Sequence, residues 1–370
     1  LRNEVFAYNL FIFATFPVSA LAAYHLALKL TRTPSASFIA GLIYSFGPYH
    51  LWTARNHLTF DPQWIPLFLV ALLHFEDRPT WRRALLAALL YSLVVMVNPY
   101  YGFFAAIAAV VVVLCRAAYH RRCGICKPFL TRTRLLCYSM AVTVALVLTT
   151  WTYWPVFRTL VLSNPGDGED HFKTRFDGYV DIAYVTASPQ PVQRGSWWPF
   201  YGSARPWDYL LPSEDHLVFG SLTREITLRI SEIDRGNWVP VKYRYLDLDN
   251  WWFWQDTGPG GELFLGYTGI LLGGYALHHF WSVRRRESRR SEARFGVLLF
   301  ALLALVAIWF SMPPWFPIGS LFSKWLPSWA DNWIIPSPMW YSFRVLPMFR
   351  AGVRFGVLVL LSVSVLAAIG

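Results

Sequence analysis

Cysteine and charged residues are both in short supply here. The chain has four cysteines in 370 residues, and Asp, Glu, Lys and Arg together make up 15% of it. Cys115, Cys123, Cys126 and Cys137 fall within one short region, which excludes a disulfide framework tying distant segments together. Cys123 and Cys126 have CxxC spacing with His120 nearby, but a structural zinc site draws four ligands, usually from two such pairs, and there is no second pair. No metal ligand set is assigned on this basis. The chain also lacks a GxGxxG stretch, a Walker loop and a GxSxG elbow, so soluble nucleotide-binding and serine-hydrolase chemistry have no support. There is no internal repeat.

What the chain has instead is apolar length. It is 55% hydrophobic and 18% aromatic, with a mean hydropathy of +0.35. Apolar runs near the ~20 residues needed to cross a bilayer recur along it. Backbone polar groups inside lipid must be satisfied within the segment, so each run is expected to be a helix. Nine such runs are expected, at residues 5–30, 36–52, 62–75, 81–97, 100–119, 135–157, 263–283, 295–312 and 353–370. Asn98-Pro99 breaks what would otherwise be one long helix into a hairpin. The expected fold is an all-α polytopic membrane protein with one mixed, partly β external segment. Its parts are a transmembrane bundle over 1–157, an external segment over 158–262 and a C-terminal transmembrane part over 263–370.

Basic residues set the expected orientation. Lys29 and Arg32, Arg78 with Arg82 and Arg83, the group from Arg116 to Arg134, and the arginine cluster at 284–294 all fall on alternate loops. The positive-inside rule makes these loops cytoplasmic. The net charge of +11 is then a topology signal beside anionic lipid, and no nucleic-acid partner is implied. Residues 44–67, the turn at Asn98, 158–262 and 313–352 fall on the external face. Residues 158–262 contain ten Lys plus Arg against fifteen Asp plus Glu, so they are acidic within a basic protein. Within them, 225–230 and 239–245 alternate polar and apolar residues and read as a small hairpin.

Two external clusters carry chemistry. The first, at 44–67, gathers His50, Arg55, Asn56, His57, Asp61 and Gln63 among Tyr49, Trp52 and Trp64. Arginine and histidine suit a phosphate, and a carboxylate can accept a proton or a sugar hydroxyl. The same residues also fit an interfacial loop with its aromatic belt. The second cluster precedes the last run, where Arg350 and Arg354 are four apart and would share a helix face, with Arg344 upstream. Guanidinium forks take phosphate oxygens bidentately, as a lipid-linked phosphate would require, while helix-end arginines also serve as anchors. His216, in a Ser-Glu-Asp-His turn, could join a site or only decorate a solvated loop.

Four stretches resemble the bacterial multi-spanning glycosyltransferases of the GT-C fold, in particular the YfhO-like membrane proteins. They are Tyr8-Asn9, residues 40–49 with His57 and 63–67, Asn98-Pro99-Tyr100-Tyr101-Gly102, and 349–355. Residues 210–220 and 264–267 add further landmarks. The resemblance implies transfer of a sugar from a polyprenyl-phosphate donor to a cell-envelope glycan or lipid acceptor, outside the cytoplasmic membrane. It implies donor-phosphate contacts from Arg350, Arg354, Arg344, Arg55 and His57. It also implies a substrate pocket drawing on Gln63, Trp64, Tyr100, Tyr101 and His216. The catalytic carboxylate is expected upstream of Leu1, with Asp61 the candidate inside the chain. No cofactor is specified, and a divalent metal ion is left open. A transporter or flippase of a lipid-linked substrate and a non-catalytic envelope protein are the alternatives. A transporter would favour polar groups at mid-membrane on broken, repeated helices.

Overall fold

The computed structural model describes residues 4–54, 62–122, 131–162, 203–234, 263–282, 291–313, 315–316, 327, 335–345 and 352–370. These are almost wholly helical and fall into two compact units. The first comprises Leu1–Val161, Leu265–Leu305 and Val357–Gly370, and the second Leu162–Phe264 and Val306–Gly356.

The first unit contains α1 (Glu4–Thr31), α2 (Pro34–Phe46), α3 (Pro48–Thr53), α4 (Trp64–Asp77), α5 (Trp81–Val97), α6 (Pro99–Arg122), α7 (Arg132–Leu162) and α9 (Tyr267–Ser282). It also takes most of α10 (Ser291–Ser311) and of α12 (Gly356–Ile369). Among the described residues, five helices are long and apolar enough to cross a membrane: Glu4–Thr31, Pro99–Arg121, Arg132–Pro155, Glu292–Ser311 and Gly352–Ile369. The other expected spans form shorter helices. Residues 36–52 are divided at Gly47, whose extended backbone separates α2 from α3 just before Pro48. The α4, α5 and α9 helices have 14, 17 and 16 residues. The Asn98-Pro99 break is present, with Asn98 extended and its Oδ1 accepting the Tyr100 N–H at 2.9 Å.

At the centre of the first unit lies α12. It is apolar on every side, and 78% of its membrane-length window is buried, against 11% for α7 and 17% for α1. A helix without a polar face belongs in a core, and one with a bare apolar flank belongs against lipid. Gly269 and Gly273 of α9 bring that helix against Val363 and Leu366 of α12, and Gly296 of α10 lies beside Ile369 and Leu30. The α1 and α2 helices pack still closer, since a Cβ on Gly41 would stand 2.7 Å from the Ala20 carbonyl oxygen.

One end of this unit is ionic. Asp77, closing α4, accepts from Lys29 of α1 and from Arg116 of α6, the latter at 2.7 Å. The neighbouring Glu76 accepts from the Tyr138 hydroxyl, while Arg134 donates to the Glu76 carbonyl at 2.8 Å. Arg32 pairs with Glu292 at 3.0 Å, and the Arg116 guanidinium lies 3.9 Å from the centre of the Phe295 ring. Lys29 and Arg116 thereby pair with Asp77, and Arg32 with Glu292.

The second unit contains a 3-10 turn at Pro206–Tyr209, α8 (Gly220–Asp234), the strands β1 (Trp315–Phe316) and β2 (Ile335–Pro336), α11 (Pro338–Val345) and a 3-10 turn at Gly352–Phe355. The strands pair antiparallel, with Trp315 opposite Pro336. The partly β expectation for 158–262 is corrected here: residues 225–230 lie inside α8, and the described residues of that segment contain no strand. Leu222, Ile226 and Ile230 recur every four residues, a helical period, and Thr227 satisfies its hydroxyl on the Thr223 carbonyl at 2.9 Å. Residues 239–245 lie outside the described residues.

Two substitutions test this packing. Gly41→Val drives side-chain atoms into a backbone carbonyl that cannot swing away, so a loss of about 1–3 kcal/mol is expected as a lowered melting midpoint in detergent. Asp77→Ala strands two poorly solvated cations at a cost of about 2 kcal/mol, between the exposed and buried limits for ion pairs. Adding Lys29→Ala to Asp77→Ala is expected to cost less than the two single changes summed.

Candidate functional site

Several expected site residues fall outside the described structure: Arg55, His57, Asp61 and Arg350, together with Cys123 and Cys126. Arg344 contributes only its backbone position, within α11. The last helix begins as the Gly352–Phe355 3-10 turn, so the expected α-helical pairing of Arg350 with Arg354 is not part of the described helix.

In the first unit the expected patch turns inward. His50 is 1% exposed and stacks on Phe16 at 4.3 Å. Its Nδ1–H donates to the Ser45 carbonyl at 2.8 Å, which leaves Nε2 of the neutral ring as an acceptor 3.2 Å from Thr15 Oγ1. The single hydroxyl proton of Thr15 also reaches the Ile12 carbonyl at 2.7 Å. His50 therefore ties α3 to α1, and the Ser45 hydroxyl reinforces the joint by donating to the Phe16 carbonyl at 2.6 Å. The Tyr44 hydroxyl donates to the Pro62 carbonyl at 2.8 Å and fixes the entry to α4, where Gln63 is buried and Trp64 half-buried. Tyr101 is a core side chain packed against Phe104, and Tyr100 is half-buried in the first turn of α6.

In the second unit polar groups converge on Ser311, the last residue of α10. The final carbonyls of a helix lack intrahelical donors. Here the Ser311 carbonyl accepts the Ala204 N–H at 2.8 Å. The Ser311 hydroxyl donates to the Ile308 carbonyl at 2.6 Å and accepts from the buried Tyr209 hydroxyl at 2.8 Å. The Gly352–Phe355 turn packs on the same helix end. A Cβ on Gly352 would lie 2.9 Å from Met339 Cε and 3.0 Å from the Ser311 carbonyl oxygen, and the Phe355 ring sits 5.1 Å from that of Phe310. Arg354, an expected phosphate ligand, is thus carried on a turn that shares its support with residues 203–209.

Asp208, which sequence reasoning missed, belongs to the same junction. Pro206 opens the 3-10 turn, and Asp208 Oδ2 accepts the Arg205 N–H at 2.8 Å, a capping arrangement. Its Oδ1 is cut off from solvent and has no hydrogen-bond partner among the described residues. Burial raises the Asp208 pKa from its ordinary 3.8, with the Arg205 charge and its N–H pulling the other way. A dry carboxylate oxygen beside an arginine, at the end of a membrane-length helix, can take a proton from a hydroxyl presented there. Among the described residues no three His, Cys, Asp or Glu side chains stand together as a metal site.

His216 has a local task. Its Nδ1 accepts from the backbone N–H groups of Val218 and Phe219, both at 3.2 Å, immediately before α8. His216→Ala is expected to cost about 1 kcal/mol, the usual worth of a helix N-cap, and to speed amide exchange and proteolysis in the first turn of α8. Tyr209→Phe is expected to lower stability by a similar amount, about 1 kcal/mol, by removing the bond to Ser311. In comparisons with known proteins, no curated protein and no solved structure matches the chain at a significant level. Residues 3–180, just under half of the chain, match the family described as a domain of unknown function, DUF6311.

Proposed function

We propose that the protein is a membrane glycosyltransferase of the GT-C type. In this reading it moves a sugar from a polyprenyl-phosphate donor to an envelope glycan or lipid acceptor on the external face of the cytoplasmic membrane. The observation that carries the proposal is the dry Asp208 oxygen at the Ser311 junction, next to the turn that bears Arg354. Asp208 takes the proton of the acceptor hydroxyl as that oxygen attacks the anomeric carbon. The bond from that carbon to the phosphate oxygen breaks, and the sugar ends on the acceptor. The leaving polyprenyl phosphate carries the negative charge, which the Arg354 guanidinium is suited to neutralise. The ionic end of the first unit supports an orientation with Lys29, Arg32, Arg116 and Arg134 in the cytoplasm and residues 158–262 outside.

Turnover of a polyprenyl-phosphate sugar by the full chain in liposomes tests this reading. Asp208→Asn is expected to lower kcat by about 100-fold or more, the scale of one general base, without changing the melting midpoint. Arg354→Ala is expected chiefly to raise KM for the donor. A carboxyl pKa raised by burial keeps its proton to higher pH, so the acid limb of the pH–activity profile should lie above 3.8 and disappear in Asp208→Asn. Sugar transfer that survives Asp208→Asn unchanged refutes the assignment. Lipid-linked sugar that crosses the bilayer without being transferred establishes transport in its place.

A further inference from the structure

The second unit holds an apolar feature that sugar transfer does not use. Leu217 is 102% exposed and Val218 71%, with Leu210 at 53% and Leu222 at 51%. This is not the tip of a loose loop. His216 N–H donates to the Ser213 carbonyl at 3.0 Å, Gly220 N–H to the His216 carbonyl at 2.8 Å, and the His216 ring holds the next two amides. Five hydrogen-bonded residues thus fix two aliphatic side chains in full exposure. In water that arrangement forfeits the hydrophobic gain of burying them, so an apolar partner is called for.

The position of the loop says which partner. Eight residues before Leu217 stands Tyr209, whose hydroxyl is bonded to Ser311, and Ala204 is bonded to the carbonyl of the same residue. Ser311 ends Glu292–Ser311, a helix of membrane-crossing length. The loop therefore starts beside the end of a helix long and apolar enough to cross the hydrocarbon. We infer that Leu210, Leu217, Val218 and Leu222 form an interfacial anchor that inserts into the adjoining bilayer leaflet. The composition fits lipid better than a protein partner: the patch is wholly aliphatic, without the Trp, Tyr or Arg that dominate protein-binding hot spots. Glu214, Asp215 and Glu225 outnumber Arg224 along its polar border, and Arg224 is already 3.5 Å from Glu214. Insertion should therefore proceed on neutral phosphatidylcholine and gain nothing from anionic lipid.

The inference rests on the membrane reading alone and stands apart from sugar transfer. It is tested with the full chain in phosphatidylcholine nanodiscs, with an environment-sensitive fluorescent amino acid in place of Leu217 and, in a second protein, in place of the exposed Glu225. The expected result is blue-shifted emission at 217, quenched several-fold more strongly than at 225 by lipids brominated along their acyl chains. Water-like emission at 217 overturns the anchor. So does blue-shifted emission that brominated lipid leaves unquenched, because that outcome places the patch against protein. Leu217→Ser combined with Val218→Ser guards against an effect of the probe itself. Both side chains face outward, so the double variant should melt normally in detergent. It should also show faster amide exchange through the first turn of α8 in nanodiscs, and unchanged exchange there refutes insertion.

Discussion

Asp77 receives Lys29 on one oxygen and Arg116 on the other, and the ends of three helices take their positions from that contact. Successive residues on a helix point about 100° apart, so the adjacent Glu76 faces a different neighbour, α7, through Tyr138 and Arg134. The last turn of α4 thereby joins α1, α6 and α7 in a single polar knot. The knot has to sit at the helix ends. A charged group along the apolar middle of these helices would lose its hydration with nothing to replace it, whereas at the end it can keep partial contact with water. Above the knot, side-chain fit and close backbone approach take over. That is why Gly41, Gly269, Gly273 and Gly296 occur where helices meet.

The second unit solves a different problem. The end of α10 presents carbonyls without donors; the Ala204 N–H satisfies that of Ser311, the Tyr209 hydroxyl bonds the Ser311 hydroxyl, and the turn at Gly352 packs against the same end. Ordering two distant segments on one serine costs conformational entropy, which buried hydrogen bonds and the Phe310–Phe355 contact offset. The consequence is a small region where polar groups are held rigidly at the edge of an apolar helix, the setting in which their electrostatic influence on a substrate is strongest.

Much of the helical scaffold was legible in the sequence because lipid imposes one rule on the backbone. Apolar runs become helices, and Asn98-Pro99 interrupts them as proline must. The break at Gly47 was less visible, although a residue preceding proline is biased away from helix, because the apolar pattern continues across it. The α8 helix was misread because Thr223, Ile226 and Thr227 favour strands locally, while the four-residue spacing of Leu222, Ile226 and Ile230 carried the better signal. Among the proposed site residues, Arg354 could be singled out from its place before an apolar run. Asp208 could not, because its burial depends on Tyr209 meeting Ser311, and that contact spans 102 positions in sequence. His50 illustrates the converse: its residue type suggested chemistry, and only the packing against Phe16 and Thr15 reveals a joint between helices.

Two aspartates in this chain show why residue type alone does not assign a role. Both stand near helix ends and both have arginine close by. Asp77 has each oxygen committed to a cation, so any proton or substrate hydroxyl arriving there would first have to break an ion pair that holds helices together. Asp208 commits one oxygen to a backbone N–H and keeps the other dry and unmatched among the described residues. A buried, unmatched acceptor is a standing cost to the fold, and a folded chain keeps few of them. A ligand hydroxyl that donates to Oδ1 would remove that cost on binding. In the proposed function, the same geometry that makes Asp208 a poor stabiliser of the empty protein makes it a better-placed acceptor for a substrate proton than Asp77, whose two oxygens are both ion-paired.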